Sequence, residues 1–90
     1  MANDYAELVK SIIEQIRRII GPVAVTLAKQ VKGITIEDGV KIEGDPQKAI
    51  KELMAKYKSL MGQVVITIAK KGAKPILERN PKLKVPEELR

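Results

Sequence analysis

Between Tyr5 and Ile20 the apolar side chains Leu8, Val9, Ile12, Ile13, Ile16, Ile19 and Ile20 recur at three- and four-residue intervals. Glu7, Lys10, Ser11, Glu14, Arg17 and Arg18 occupy the positions between them. A period near 3.6 gathers the first set on one stripe, so the spacing predicts an amphipathic helix over 5–20 with all seven apolar residues on its covered face. Asp4 and Glu7 form an Asp-x-x-Glu start, close to a capping box, which satisfies orphan amides of the first turn. Glu14 and Arg18 stand in the favourable i, i+4 order. Gly21-Pro22 stops the helix.

The pattern returns over 46–61. Ala49, Ile50, Leu53, Met54, Tyr57, Leu60 and Met61 make the covered stripe, and Glu52 precedes Lys56 by four. Asp45 is placed to cap, Pro46 stands where its missing N–H costs nothing, and Gly62 ends the helix. Between the two helices, β-branched runs Ile34–Ile36 and Val40–Ile42 flank Asp38-Gly39, a pair suited to a two-residue hairpin turn. The segments 22–32 and 63–74 are harder to read. Val23-Ala-Val-Thr-Leu-Ala and Val64-Val-Ile-Thr-Ile-Ala are β-branched, which favours strand. Val23, Ala24, Leu27, Ala28 and Val31 nevertheless share a helical face, and Gly33 and Gly72 suit C-terminal caps. The spacing favours helix and leaves strand as the alternative.

A shift of 41 residues aligns the two halves without a gap. Asp4 falls on Asp45, Gly21 on Gly62, Val23 on Val64, Thr26 on Thr67, Ala28 on Ala69 and Lys29 on Lys70. Two unrelated amphipathic helices would match their stripes by chance, but not a shared Gly-x-Val-x-x-Thr-x-Ala-Lys run after each. The expected fold is therefore mainly α: one domain over 1–90, built as a tandem duplication of a long helix–Gly–short helix unit. Unit one covers 4–37, including the first hairpin strand, unit two covers 45–78, and a β-hairpin lies between the long helices. Two such units would cover each other's apolar faces across a pseudo-twofold axis. The tail 79–90, with two prolines and little apolar content, reads as extended or mobile.

Ile20-Gly-Pro-Val-Ala24, directly after an amphipathic helix, resembles the small helical Ile-Gly-Pro-x-Ala modules of uncharacterised function in microbial signalling proteins, some of them Ser/Thr kinases. Residues 46–74 resemble a second, divergent copy, with Gln63 and Val65 in place of the motif's Pro and Ala. The resemblance implies a helical regulatory or interaction module and names no ligand and no catalytic residue.

Composition narrows the chemistry. Among 90 residues there is no His, no Cys and no Trp, and the aromatic residues are Tyr5 and Tyr57. Zinc fingers, Cys nucleophiles, Ser-His-Asp triads and disulfide scaffolds are excluded for the isolated chain. Gly21 and Gly62 lie in no phosphate-loop pattern and read as helix breaks. Glu37, Asp38, Glu43 and Asp45 do not have EF-hand spacing and read as turn and cap residues. Thr26 and Thr67 read as bonding a preceding carbonyl, without a base to make them nucleophiles. No lysine stands out as a Schiff-base former, so neither an enzyme nor a bound cofactor or metal is expected.

Charge is uneven. Residues 1–45 hold six basic and seven acidic side chains and residues 46–90 eleven and four, which accounts for the net +6. Lys70, Lys71, Lys74, Arg79, Lys82 and Lys84 face only Glu78 in their stretch and are the candidate contacts for an anion or nucleic acid. Without interleaved aromatics or a groove-reading signature, a solvated face is the favoured reading of that run. No uncharged stretch approaches the roughly 20 residues of a membrane span, and Met1–Tyr5 has no signal-peptide character, so a cytoplasmic protein is expected. Abundant Lys and Ile with little Asn resembles a thermophile's composition. With 44% hydrophobic residues in so short a chain, a homodimer is expected to bury the surplus. The expected function is a non-enzymatic, cytoplasmic, self-associating interaction or regulatory module, to which another protein could also bind. The alternative is a small basic nucleic-acid-binding protein.

Overall fold

The computed structural model describes residues 4–37 and 39–89. In chain order these form α1 (Asp4–Ile20), α2 (Val23–Lys29), β1 (Ile34–Ile36), β2 (Val40–Ile42), α3 (Pro46–Met61) and α4 (Val64–Arg79), followed by a 3-10 turn over Glu87–Leu89. The architecture is mainly α with a two-stranded antiparallel hairpin between the helix pairs. Both ambiguous segments are helical.

The long helices follow their periodicity closely. α3 begins as its sequence dictates: the Asp45 carboxylate accepts from the amides of Gln47 and Lys48 at 3.0 and 3.4 Å, with Pro46 in the first turn. α1 differs at its start, because Asp4 is itself helical and so is not the cap. Among the described residues the one ion pair is Glu7–Arg79, so neither Glu14–Arg18 nor Glu52–Lys56 closes. Exposed pairs of this kind gain little over hydration.

α4 departs most from expectation. Gly72 does not cap it, and the second short helix is not short: it runs through Gly72 and Pro75 for 16 residues, against 7 in α2. Glycine and proline cost a helix about 1 and 3 kcal/mol in isolation. Here Gly72 lies where α4 crosses α1, so close that a Cβ on it would sit 2.9 Å from the Ser11 carbonyl oxygen. The Ser11 hydroxyl donates to the Gly72 carbonyl at 2.6 Å. Ala69, Ala73 and Ile76 are buried along the same face, and Pro75 is exposed. Packing decides the length of α4 against local propensity.

The hairpin pairs Ile34 with Ile42 and Ile36 with Val40. That register leaves three residues, 37–39, in the connection and not a two-residue turn; Asp38 lies outside the described residues. The tail is docked rather than loose. Val85 and Leu89 are buried, and the Tyr5 hydroxyl donates to the Lys84 carbonyl at 2.7 Å, holding the tail to the start of α1.

One core runs through the molecule, from Leu8, Ile12 and Ile16 of α1 through Ile50 and Leu53 of α3 to Val65 and Ile76 of α4. Tyr57 is fully buried within it and donates to the Ala24 carbonyl at 2.6 Å, tying α3 to α2. Burial pushes its phenol well above the ordinary tyrosine range.

Candidate interaction surface

α1 and α4 are antiparallel, since Glu7 meets Arg79 and Ser11 meets Gly72. Eight residues onward from Ser11 is Ile19, and eight back from Gly72 is Val64. At 1.5 Å per residue both lie about 12 Å from the crossing, at one end of the molecule. α2 starts where α1 stops and α4 starts where α3 stops, so both glycine corners share that end. α1 alone rises about 25 Å, most of the 30 Å long dimension, so the chain's tail closes the opposite end.

The two corners are built alike. Gly21 donates to the Arg17 carbonyl and Gly62 to the Lys58 carbonyl, each at 2.8 Å, and each glycine has φ near +77°. A residue with a Cβ strains that backbone by roughly 1–3 kcal/mol, although open space surrounds both positions.

At this end the apolar stripes outrun the core. Ile19 and Leu60 belong to the sequence's predicted covered stripes, and Val23 to the predicted face of α2. All three are exposed, at 59%, 57% and 41%, together with Val64 at 54%. Among the described residues these four are the exposed large hydrophobic side chains. They pair by the same 41-residue shift, Ile19 with Leu60 and Val23 with Val64. The helices reach past the layer their neighbours cover, and the glycine corners carry the chain back before anything is laid over the last turn.

Cations occupy the same last turns. Arg17 and Arg18 precede Ile19, Lys58 precedes Leu60, and all three are exposed. They lie in the last turns of α1 and α3, where a positive charge complements the helix dipole. Two C-termini and two N-termini meet here, so the dipole ends offset one another and the side-chain charge remains. Residues 15–36 and 53–77 contain no Asp or Glu. The nearest carboxylate along α1 is Glu14, which lines a shallow depression with Arg17, Arg18, Gly21 and Pro22.

The six basic residues singled out in the sequence do not form one surface. Lys70 and Lys74 share a stripe of α4 and line a depression with Glu78, Leu77 and Leu89. Arg79 lies half a helical turn away from Lys70, pairs with Glu7 at 3.4 Å, and lines a different depression with Asp4 and Lys82. Lys71 and Lys84 are exposed. Interleaved carboxylates divide the cations into separate groups.

The remaining candidates resolve simply. Among the described residues no three acidic side chains gather as metal ligands, and Asp45 is engaged as a cap. Thr26 and Thr67 are exposed, and neither hydroxyl bonds the preceding turn as expected. A depression of about 450 Å³ between α1 and the hairpin has Ile13, Val25, Ile36 and Val40 on its floor, with Lys10 and Arg17 at its edge. Among the described residues no helix is long and apolar enough to cross a membrane. Comparison with known proteins gives no match: no family model, no curated protein and no solved structure aligns with this chain.

Proposed function

We propose that the chain is a non-enzymatic interaction or regulatory module of the cytoplasm, and that it self-associates through the end formed by Ile19, Val23, Leu60 and Val64. The carrying observation is that, among the described residues, the exposed large apolar side chains are confined to this end. By their fractional exposure the four present about 400 Å², comparable with the largest patch on an ordinary monomer. Half-buried Ile20 and Met61 stand next to Ile19 and Leu60 in the last turns of the two long helices. The patch also repeats under the 41-residue shift, as expected if the halves are copies of one unit. The residues that resemble the Ile-Gly-Pro-x-Ala modules, Ile20–Ala24, are the first corner itself.

A second reading, nucleic-acid binding, is favoured by the exposed cations Lys70, Lys71 and Lys74 on α4. Light scattering with and without added DNA or RNA, at two salt concentrations, separates the two. Self-association needs no nucleic acid. Phosphate binding appears only with it and weakens steeply as salt rises. A particle that grows only when nucleic acid is present overturns the first reading.

A further inference from the structure

We infer that the depression between α1 and the hairpin binds a small carboxylate with an aliphatic body, such as a medium-chain fatty acid. Its floor is Ile13 of α1, Val25 of α2, Ile36 of β1 and Val40 of β2, so three parts of the fold build one trough. Ile13 is buried and the other three are half-buried. At about 450 Å³ the trough falls within the roughly 300–1,000 Å³ of small-molecule sites. Lys10 and Arg17 stand at its edge, about 10 Å apart along α1. Past Arg17 a shallower depression continues, sharing Glu14, Arg17 and Pro22 and adding Arg18 and Gly21. An apolar trough thus opens into a polar lobe with two guanidinium groups.

The charge around the trough selects the occupant. Among the described residues the one ion pair is Glu7–Arg79, so Lys10, Arg17 and Arg18 form none with Glu14. These three cations stand against that one carboxylate, and Glu37, exposed beside Ile36, lines neither depression. A planar guanidinium holds a carboxylate through two parallel hydrogen bonds, while an aliphatic chain lying back over Ile13 and Val40 leaves water. A short carboxylate alone gains little over its hydration, and a neutral chain leaves the lobe unused. The hairpin makes the site particular to the first half. By the 41-residue shift Ile36 falls on Leu77, within α4, so the second half has helix where the first has the trough's outer wall. The site adds a ligand to the regulatory reading of the chain and stands whether or not the chain self-associates.

The test is a titration of the full, isotopically labelled chain with sodium octanoate, followed by its amide chemical shifts, with sodium acetate and 1-octanol as controls. The expected result is saturable shifts at Ile13, Val25, Ile36, Gly39 and Val40, half-complete at about 1 mM or below, which neither control reproduces. The double variant Arg17→Gln, Arg18→Gln should bind octanoate about tenfold more weakly, and Glu14→Gln about threefold more tightly. All three side chains are exposed, so both variants should fold, and their unligated amide spectra check that. No saturable shift at the trough up to about 10 mM octanoate overturns the inference. So do equal shifts with 1-octanol, or a double variant that binds as tightly as its parent. Shifts confined to Ile19, Leu60 and Val64 would place the aliphatic chain on the apolar end and overturn it as well. None of these outcomes bears on self-association, which the mass of the unligated chain decides.

Discussion

The two ends of this helical molecule are finished differently. At one end the start of α1 and the close of α4 are joined by the Glu7–Arg79 pair, and the tail folds back so that Val85 and Leu89 are buried. Asp4, Glu7, Glu78, Glu87 and Glu88 are spread through these elements among the cations. At the other end the glycine corners turn the chain back at once, and the large apolar side chains exposed among the described residues, Ile19, Val23, Leu60 and Val64, lie there. The tail closes one end, and the other keeps its apolar side chains exposed.

The largest effects should come from breaking the covered parts. Gly72→Leu forces a side chain into the α1–α4 crossing, where a Cβ already meets the Ser11 carbonyl oxygen, and should cost about 3 kcal/mol or prevent folding. Urea melts measure it. Leu89→Asp should cost a similar amount, on the order of 3 kcal/mol, by burying a charge or undocking the tail. Leu60→Asp at the open end should change monomer stability by no more than about 0.5 kcal/mol. Equal losses at positions 60 and 89 would remove the distinction between the ends.

Next come Gly21→Leu and Gly62→Leu, each expected to cost about 1–3 kcal/mol through backbone strain alone. Because the corners have the same geometry, the two losses should agree in thermal melts. Melting unchanged in both would mean that neither corner depends on its glycine.

Much of the fold is legible in the hydrophobic pattern. α3 runs over Pro46–Met61 as predicted, with its Asp45 cap in place, because a long periodic stripe with clear stop signals leaves few competing structures. What the pattern does not reveal depends on contacts distant in sequence. Gly72 reads locally as a cap, yet its value lies 61 residues away at Ser11. The prolines of the tail suggest loose chain, yet Val85 and Leu89 find the core. The open end is hidden for another reason: Ile19 and Leu60 extend their stripes in perfect phase, so periodicity cannot tell a covered position from one the fold fails to reach. The signal available in the sequence is their place in the last turn before a glycine corner, flanked by Arg17, Arg18 and Lys58.

A smaller effect tests the region beneath the open end. Tyr57→Phe leaves the Ala24 carbonyl without its hydroxyl donor and should cost about 1 kcal/mol at neutral pH. Burial raises the Tyr57 pKa above its ordinary value of 10.0, so the folded chain holds this proton where the unfolded chain releases it. The contribution is complete below pH 10 and is lost as pH rises further, by up to about 1.4 kcal/mol per pH unit. Lysines titrate in the same range, so the check is the difference between parent and variant, which should narrow above pH 10 and then change sign by about pH 11. A constant difference between pH 9 and 11.5, in steps of about half a unit, would show that the phenol is not held neutral by the fold.

The central claim is that the apolar end is an interface between two copies, and the mass of the full chain in solution across a concentration series tests it most directly. By multi-angle light scattering from about 1 µM to about 1 mM, at moderate salt so that the net +6 charge is screened, the mass should climb from 10.0 kDa towards twice that value. The double variant Leu60→Asp, Val64→Asp should hold the monomer mass throughout while melting like its parent. A parent that stays at 10.0 kDa over the whole range, or a double variant that assembles equally well, would contradict the account.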